Sequence, residues 1–85
     1  MISKNKRSDM EIIAQMLSLA LEDTRKTRLM YQANLSYSQL IYYIDFLLDK
    51  EFLKMKNGVQ GNRYCITDKG REFLESIDNV IIQAR

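Results

Sequence analysis

The chain has 85 residues, of which 46% are hydrophobic and 28% charged, with a formal net charge of +2. This composition is typical of one small globular domain and argues against a disordered chain. A single cysteine and the absence of histidine exclude an internal disulfide and a zinc site of the usual ligands, and they remove the commonest general base. We therefore expect no enzyme activity, no metal and no cofactor.

Apolar residues are distributed in short stretches. None approaches the roughly 20 consecutive apolar residues that a membrane helix needs, and residues 1–7 are too polar for a signal peptide. We expect a protein of the cytoplasm that does not enter a membrane.

Basic residues are segregated along the chain. Residues 1–7, 24–44 and 52–66 contain lysine or arginine but no acid, whereas acids predominate between these blocks. If the three blocks meet in the folded protein they form one positive face, which is the electrostatic footprint of a nucleic-acid binder. The alternative is that the charges only keep a small protein solvated.

A first helix is predicted over residues 8–22. Ser8 followed by Glu11 is a capping box, and Asp9 stands at the positive end of the helix dipole. Apolar residues occupy most of the circumference, so the helix must be covered from two sides. These residues are Met10, Ile12, Ile13, Met16, Leu17, Leu19, Ala20 and Leu21.

Two further helices are predicted over residues 25–33 and 36–50, joined at a sharp corner. Thr24 is the predicted N-cap of the first, and Ser36 with Gln39 forms a capping box at the start of the second. This is the helix-turn-helix arrangement, whose second helix enters the DNA major groove with its N-terminal residues at base edges. For Tyr43, a core position and a contact position are both open.

A β-hairpin is predicted over residues 52–66, because apolar and polar residues alternate on both sides of the loop NGVQGN. A two-stranded hairpin is not stable alone, so its apolar side chains must lie on the helices. These are Leu53, Met55, Tyr64 and Ile66. The opposite face and the tip are basic and polar, which suits a phosphate backbone or a minor groove. Such a hairpin is called a wing; its lysines could instead only protect an edge strand from aggregation.

The last helix is predicted over residues 67–84, with Thr67 as its cap. It has about five turns, which is more than a small core needs, so we expect it to mediate a homodimer. The alternative is that it only packs back on the first helix. The predicted interface residues are Phe73, Leu74, Ile77, Val80, Ile81 and Ala84.

The segments KTRLMYQANLSYSQLIYYIDFLLDKEFL and YCITDKGREFLESI resemble the archaeal winged-helix DNA-binding family of predicted transcriptional regulators, which includes small chromatin-type dimeric proteins. The resemblance implies a winged helix-turn-helix of three helices, a β-hairpin wing and a C-terminal helix. With the length of the chain, this predicts an α+β, mainly α fold in a single domain over residues 1–85. It also implies a homodimer and double-stranded DNA as the partner. Glu51 stands where such sequences usually have a helix-ending glycine, which predicts a strained turn.

The leading hypothesis is thus a double-stranded DNA-binding protein of the nucleoid, acting as a dimeric transcriptional regulator. A winged-helix module that binds protein, or a general chromatin-type DNA-binding protein, are the alternatives. The residue pattern and the resemblance together predict the following DNA contacts: Lys26, Thr27, Arg28, Ser36, Tyr37, Ser38, Gln39, Tyr42, Lys56, Gln60, Asn62 and Arg63.

Overall fold

The computed structural model describes residues 7–84, with side chains up to residue 79. Over these residues the elements follow in the order α1 (Asp9–Leu19), α2 (Lys26–Gln32), α3 (Tyr37–Asp49), β1 (Leu53–Gly58), β2 (Gly61–Ile66) and α4 (Asp68–Ala84). The strands form one antiparallel hairpin. The predicted α+β, mainly helical architecture is confirmed. No helix in this part of the chain has both the length and the apolar character needed to cross a membrane.

Both predicted capping boxes form, and they fix where α1 and α3 begin. The Ser36 hydroxyl accepts a hydrogen bond from the Gln39 backbone N–H at 3.2 Å, and the Gln39 side-chain oxygen accepts one from the Ser36 N–H at 3.0 Å. Ser8 and Glu11 make the same pair of bonds at 3.2 and 3.0 Å. Each box therefore satisfies two of the N–H groups that a helix start leaves without a partner.

Helix α1 ends at Leu19, three residues before the predicted boundary at residue 22. The chain turns extended here because Thr24 pairs with β2, exchanging two backbone hydrogen bonds with Tyr64 at 2.9 and 2.7 Å. The expectation that Thr24 caps α2 is therefore wrong. Arg25 occupies the N-cap position and makes no side-chain capping bond, while Thr24 is buried.

The residue that follows the C-cap has positive φ in both α2 and α3, Asn34 at 56° and Glu51 at 64°. The Glu51 N–H donates to the Leu48 carbonyl at 3.0 Å and the Phe52 N–H to the Leu47 carbonyl at 2.9 Å, which is the Schellman pattern of helix termination. Asn34 and Leu35 repeat it at the end of α2. A glutamate therefore occupies a left-handed position that favours glycine, as the family resemblance implied.

One core unites the helices with the base of the hairpin. Three residues that the sequence placed inward are instead exposed, Met10 at 41%, Leu21 at 43% and Met55 at 47%. Met55 is exposed because it lies two pairs further from the helices than Leu53, opposite Tyr64. The helices thus cover only the base of the hairpin on that strand, and the rest of the wing projects into solvent.

Helix α4 packs against α1 and β2. Leu74 and Ile77 are buried in this contact, so these two predicted dimer residues belong to the core of a single chain. Phe73 is half-buried and its ring stacks on that of Phe52 at 4.4 Å. The other predicted interface residues, Val80, Ile81 and Ala84, have side chains outside the described part.

At the start of α4, a Cβ on Gly70 would lie 2.2 Å from the Phe52 carbonyl oxygen, so only glycine allows this close approach.

Candidate nucleic-acid interface

A shallow groove of about 290 Å³ separates the start of α2 from the tip of the wing. Its lining combines residues that the sequence places far apart, namely Arg25, Lys26, Thr27, Gln60, Gly61, Asn62 and Tyr64. Within the described part of the chain, this lining includes two cations and no carboxylate. Lys26, Thr27, Gln60 and Asn62 were predicted DNA contacts, and the fold brings these four together. We call this surface the α2–wing groove.

A hydrogen bond closes one side of the α2–wing groove. Arg25 Nη2 donates to Gln60 Oε1 at 3.0 Å, which links positions 35 residues apart. The backbone pairing of Thr24 with Tyr64 holds the same two segments together. Arg25 was not among the predicted DNA contacts, although it lies in the same acid-free block as Lys26.

The tip of the wing is uncharged. Gly58 pairs with Gly61 across the two-residue turn of Val59 and Gln60, and Gly61 adopts a φ of 111°, which favours glycine. Val59 at the apex is fully exposed. Asn57 and Asn62 form the next pair, adjacent to the pair of Gly58 and Gly61. Amide and backbone groups, and not cations, would therefore be the first to meet a ligand at this tip.

The predicted wing cations Lys56 and Arg63 form the next pair towards the base of the hairpin. Lys56 makes an ion pair with Asp23, whose Oδ2 lies 3.3 Å from its Nζ. A hydrogen bond with Cys65, followed by the bond and charge of Lys56, lowers the pKa of Asp23. Asp23 comes from the connection between α1 and α2, so the lack of acids in residues 52–66 did not reveal this partner.

Two other basic residues lie away from the α2–wing groove. Arg28 points its guanidinium towards the end of α1, with Nη1 3.5 Å from the Leu19 carbonyl oxygen and 3.4 Å from Thr24 Oγ1. Arg7 donates to the Ala33 carbonyl at the opposite end of α2, at 2.5 Å, and to Gln15 Oε1 at 2.6 Å. Arg7, the described cation of the first basic block, therefore does not join the other blocks on one face, because its guanidinium binds a carbonyl at a helix C-terminus.

Helix α3 presents a neutral first half. Tyr37 and Tyr42 are exposed at 62% and 64%, and Ser38 lies between them on the surface. Ser36 and Gln39, also predicted contacts, form the capping box and are exposed as well. The acids Asp45 and Asp49 appear only in the second half. Tyr43 is buried, which decides the open alternative in favour of the core.

Solved structures of other proteins have the same fold as this chain. Sso10a-2 from Sulfolobus solfataricus, described as a DNA-binding protein, superposes with a TM-score of 0.85 at 28% identity, covering 92% of this chain and 82% of that one. F93 from STIV, a winged-helix DNA-binding protein, has the same fold with a TM-score of 0.74 at 23% identity, covering 89% of this chain and 91% of that one.

Sequence relatives include two uncharacterized proteins of Methanocaldococcus jannaschii. MJ0290 is 38% identical over 76 residues, which cover 88% of this chain and 34% of that protein. MJ0287 is 34% identical over 73 residues, which cover 85% of this chain and 71% of that protein. The chain thus spans about a third of the length of MJ0290. A family model described as a winged helix-turn-helix matches residues 6–84. The resemblance seen in the sequence is confirmed, and the chain belongs to the winged helix-turn-helix family.

Proposed function

We propose that this protein binds double-stranded DNA through the α2–wing groove and the first half of α3. The observation that carries the proposal is the convergence of Arg25, Lys26 and Thr27 with Gln60 and Asn62 in one groove whose described lining has no carboxylate. Such a surface suits phosphate oxygens, which attract cations and accept hydrogen bonds from amides and hydroxyls. The description of Sso10a-2 as a DNA-binding protein supports the same function here.

Different parts of this surface take different roles in the proposal. The α2–wing groove holds the backbone and fixes the orientation, because phosphate contacts carry no sequence information. The start of α3 offers hydroxyl and amide groups from Ser38 and Gln39, which can read base edges in the major groove. Asp45 and Asp49 repel phosphates, so α3 enters with its N-terminal end.

We further propose that the protein is a homodimeric transcriptional regulator. Ile77 is fully buried within the chain, yet α4 continues to Ala84, about 10 Å further along the helix axis. We assign the predicted contact between copies to this last part, with Val80, Ile81 and Ala84 at the two-fold axis. A symmetric dimer could place two α3 helices about one DNA turn apart, roughly 34–36 Å, and would favour inverted-repeat sites.

Binding of Lys26→Gln and wild-type protein to duplex DNA, measured by fluorescence anisotropy at two salt concentrations, tests the DNA proposal. Lys26→Gln should weaken binding to all sequences alike and reduce the salt slope by about 0.9, the value for one phosphate. Lys69→Gln removes the same charge beside Glu51, outside the groove, and should bind like wild type.

Two results would contradict the proposal. One is wild-type binding that does not depend on salt, and the other is equal affinity of Lys26→Gln and Lys69→Gln for random duplex. Competition between genomic fragments and random DNA then separates the proposed regulator from a chromatin-type protein. A regulator should select particular fragments, whereas a chromatin-type protein should hold every fragment with similar affinity.

A further inference from the structure

We infer that Asp23 competes with DNA phosphates for Lys56, and thereby limits the affinity of the protein for DNA of any sequence. This inference rests on the proposed DNA-binding function. Among the described residues, Asp23 is the one carboxylate that forms an ion pair with a wing cation, and the inference gives it a role.

The backbone, and not the ion pair, holds Asp23 beside the wing. Its neighbour Thr24 is 2% exposed and exchanges two backbone hydrogen bonds with Tyr64. Continuing the antiparallel register from Thr24 and Tyr64 by one residue puts Asp23 opposite Cys65. The carboxylate would therefore stay next to the wing even when Lys56 moves away.

The same backbone pairing determines which charged residues are neighbours on the outward face of the hairpin. Continuing the register of the Thr24–Tyr64 bridge by one residue puts Arg25 opposite Arg63, and Arg63 pairs with Lys56 within the hairpin. Three cations thus lie in a row across neighbouring segments. Asp23 sits two pairs away from this row, and its two carboxylate oxygens lie 3.3 and 3.4 Å from Lys56 Nζ.

A carboxylate and a phosphodiester present the same charge to a lysine. Lys56 must therefore leave Asp23 before it can bind DNA, and Asp23 then remains as an anion close to the backbone. The side chains of Lys56 and Asp23 are 50% and 38% exposed, so this exchange requires no unfolding. Because phosphates are the same in every sequence, the cost applies equally to specific and non-specific DNA.

The test compares Asp23→Asn with Glu22→Gln on random duplex DNA at two salt concentrations. Glu22 is exposed and carries the same charge one residue away, so Glu22→Gln reproduces the change in net charge without releasing Lys56. Asp23→Asn should bind about two- to fivefold more tightly than Glu22→Gln, the range expected for an exposed ion pair. Its salt slope should be steeper, because no carboxylate is left to take up a cation when Lys56 moves to the phosphate.

Lys56→Gln completes a double-mutant cycle, with thermal melts confirming that every variant is folded. The gain from Asp23→Asn should disappear when Lys56 is already absent. The inference is overturned if Asp23→Asn binds no better than Glu22→Gln, or if its gain persists without Lys56. Weaker binding by Asp23→Asn also overturns it, since Asp23 would then be positioning Lys56. These three results leave the DNA proposal intact, whereas failure of wild type and all variants to bind DNA overturns both.

Discussion

The phenol of Tyr43, in the middle of α3, donates a hydrogen bond of 2.6 Å to Oδ1 of Asp9 in the first turn of α1. Tyr43 is buried, whereas Asp9 lies at the surface. The bond joins the helix proposed to read DNA to the helix at the centre of the core. It also raises the pKa of Tyr43 to about 12, chiefly because the neutral phenol is the donor to Asp9 and secondly because the ring is desolvated.

Tyr43→Phe should lower the free energy of unfolding by about 1 kcal/mol, because it removes this hydrogen bond and keeps the ring. Urea denaturation followed by circular dichroism measures the change. Tyr42→Phe is the matched control, since Tyr42 is the next residue and is 64% exposed. Equal stability of the two variants would show that the bond to Asp9 contributes nothing.

The raised pKa of Tyr43 predicts a loss of stability in alkali. Folding favours the neutral phenol, so the contribution is complete below the unfolded pKa of about 10 and falls as the pH rises towards about 12. We expect this contribution to be about 1–2 kcal/mol, because Asp9 faces solvent and its interaction with the phenol is screened. Wild type should lose this amount between about pH 9 and pH 12 relative to Tyr43→Phe. Parallel stability profiles of the two proteins would refute the assignment.

Glu51→Gly should stabilise the protein by about 0.5–1 kcal/mol, because glycine adopts the left-handed conformation of this helix end without a steric penalty. The Thr67 hydroxyl, which donates to the Glu51 carbonyl at 2.6 Å, keeps its partner in the variant. Glu51→Ala removes the same carboxylate but retains the Cβ, so it should show no gain. The midpoint of thermal unfolding distinguishes the two variants. If both midpoints rose by the same amount, the gain would come from removing the carboxylate charge and not from the backbone conformation.

Gln39→Ala should affect both stability and sequence-selective binding. Loss of the capping box costs about 0.5–1 kcal/mol, and loss of an amide at the start of α3 weakens binding at preferred DNA sites by about 1–3 kcal/mol. Glu11→Ala breaks the equivalent box of α1 and should cost stability alone. Anisotropy titrations of both variants on selected and random DNA separate the effects. Equal loss on all sequences would indicate that Gln39 contacts only the backbone.

Ile81→Glu tests the proposed dimer. A carboxylate at the two-fold axis would be buried without a partner, at a cost of several kcal/mol, so the variant should sediment at half the wild-type mass. It should also lose DNA affinity, because a monomer lacks the avidity of two linked sites. Asn79→Glu adds the same charge at an exposed position of α4 and should sediment like wild type. Sedimentation of wild type itself as a monomer at micromolar concentration would remove the dimer from the proposal.

The sequence by itself determined where α1 and α3 begin and which segments form the hairpin. The capping boxes of Ser8 with Glu11 and of Ser36 with Gln39 join residues three positions apart, so they form whatever the rest of the chain does. The alternation around Gly58 and Gly61 is equally local, since both strands and their turn lie within fifteen consecutive residues. These contacts are local and do not depend on the tertiary arrangement.

The end of α1 and the partners of the charged residues were decided only by the tertiary structure. Thr24 leaves the helical path because its backbone groups pair with Tyr64, and Lys56 meets Asp23 from a connection that precedes α2. Likewise, Leu74 and Ile77, which were predicted to form a dimer contact, are buried where α4 packs against α1 of the same chain. In each case the partner lies tens of residues away. A residue's own neighbours reveal its backbone preference and periodicity, but the identity of a distant partner depends on how the whole chain closes around its core.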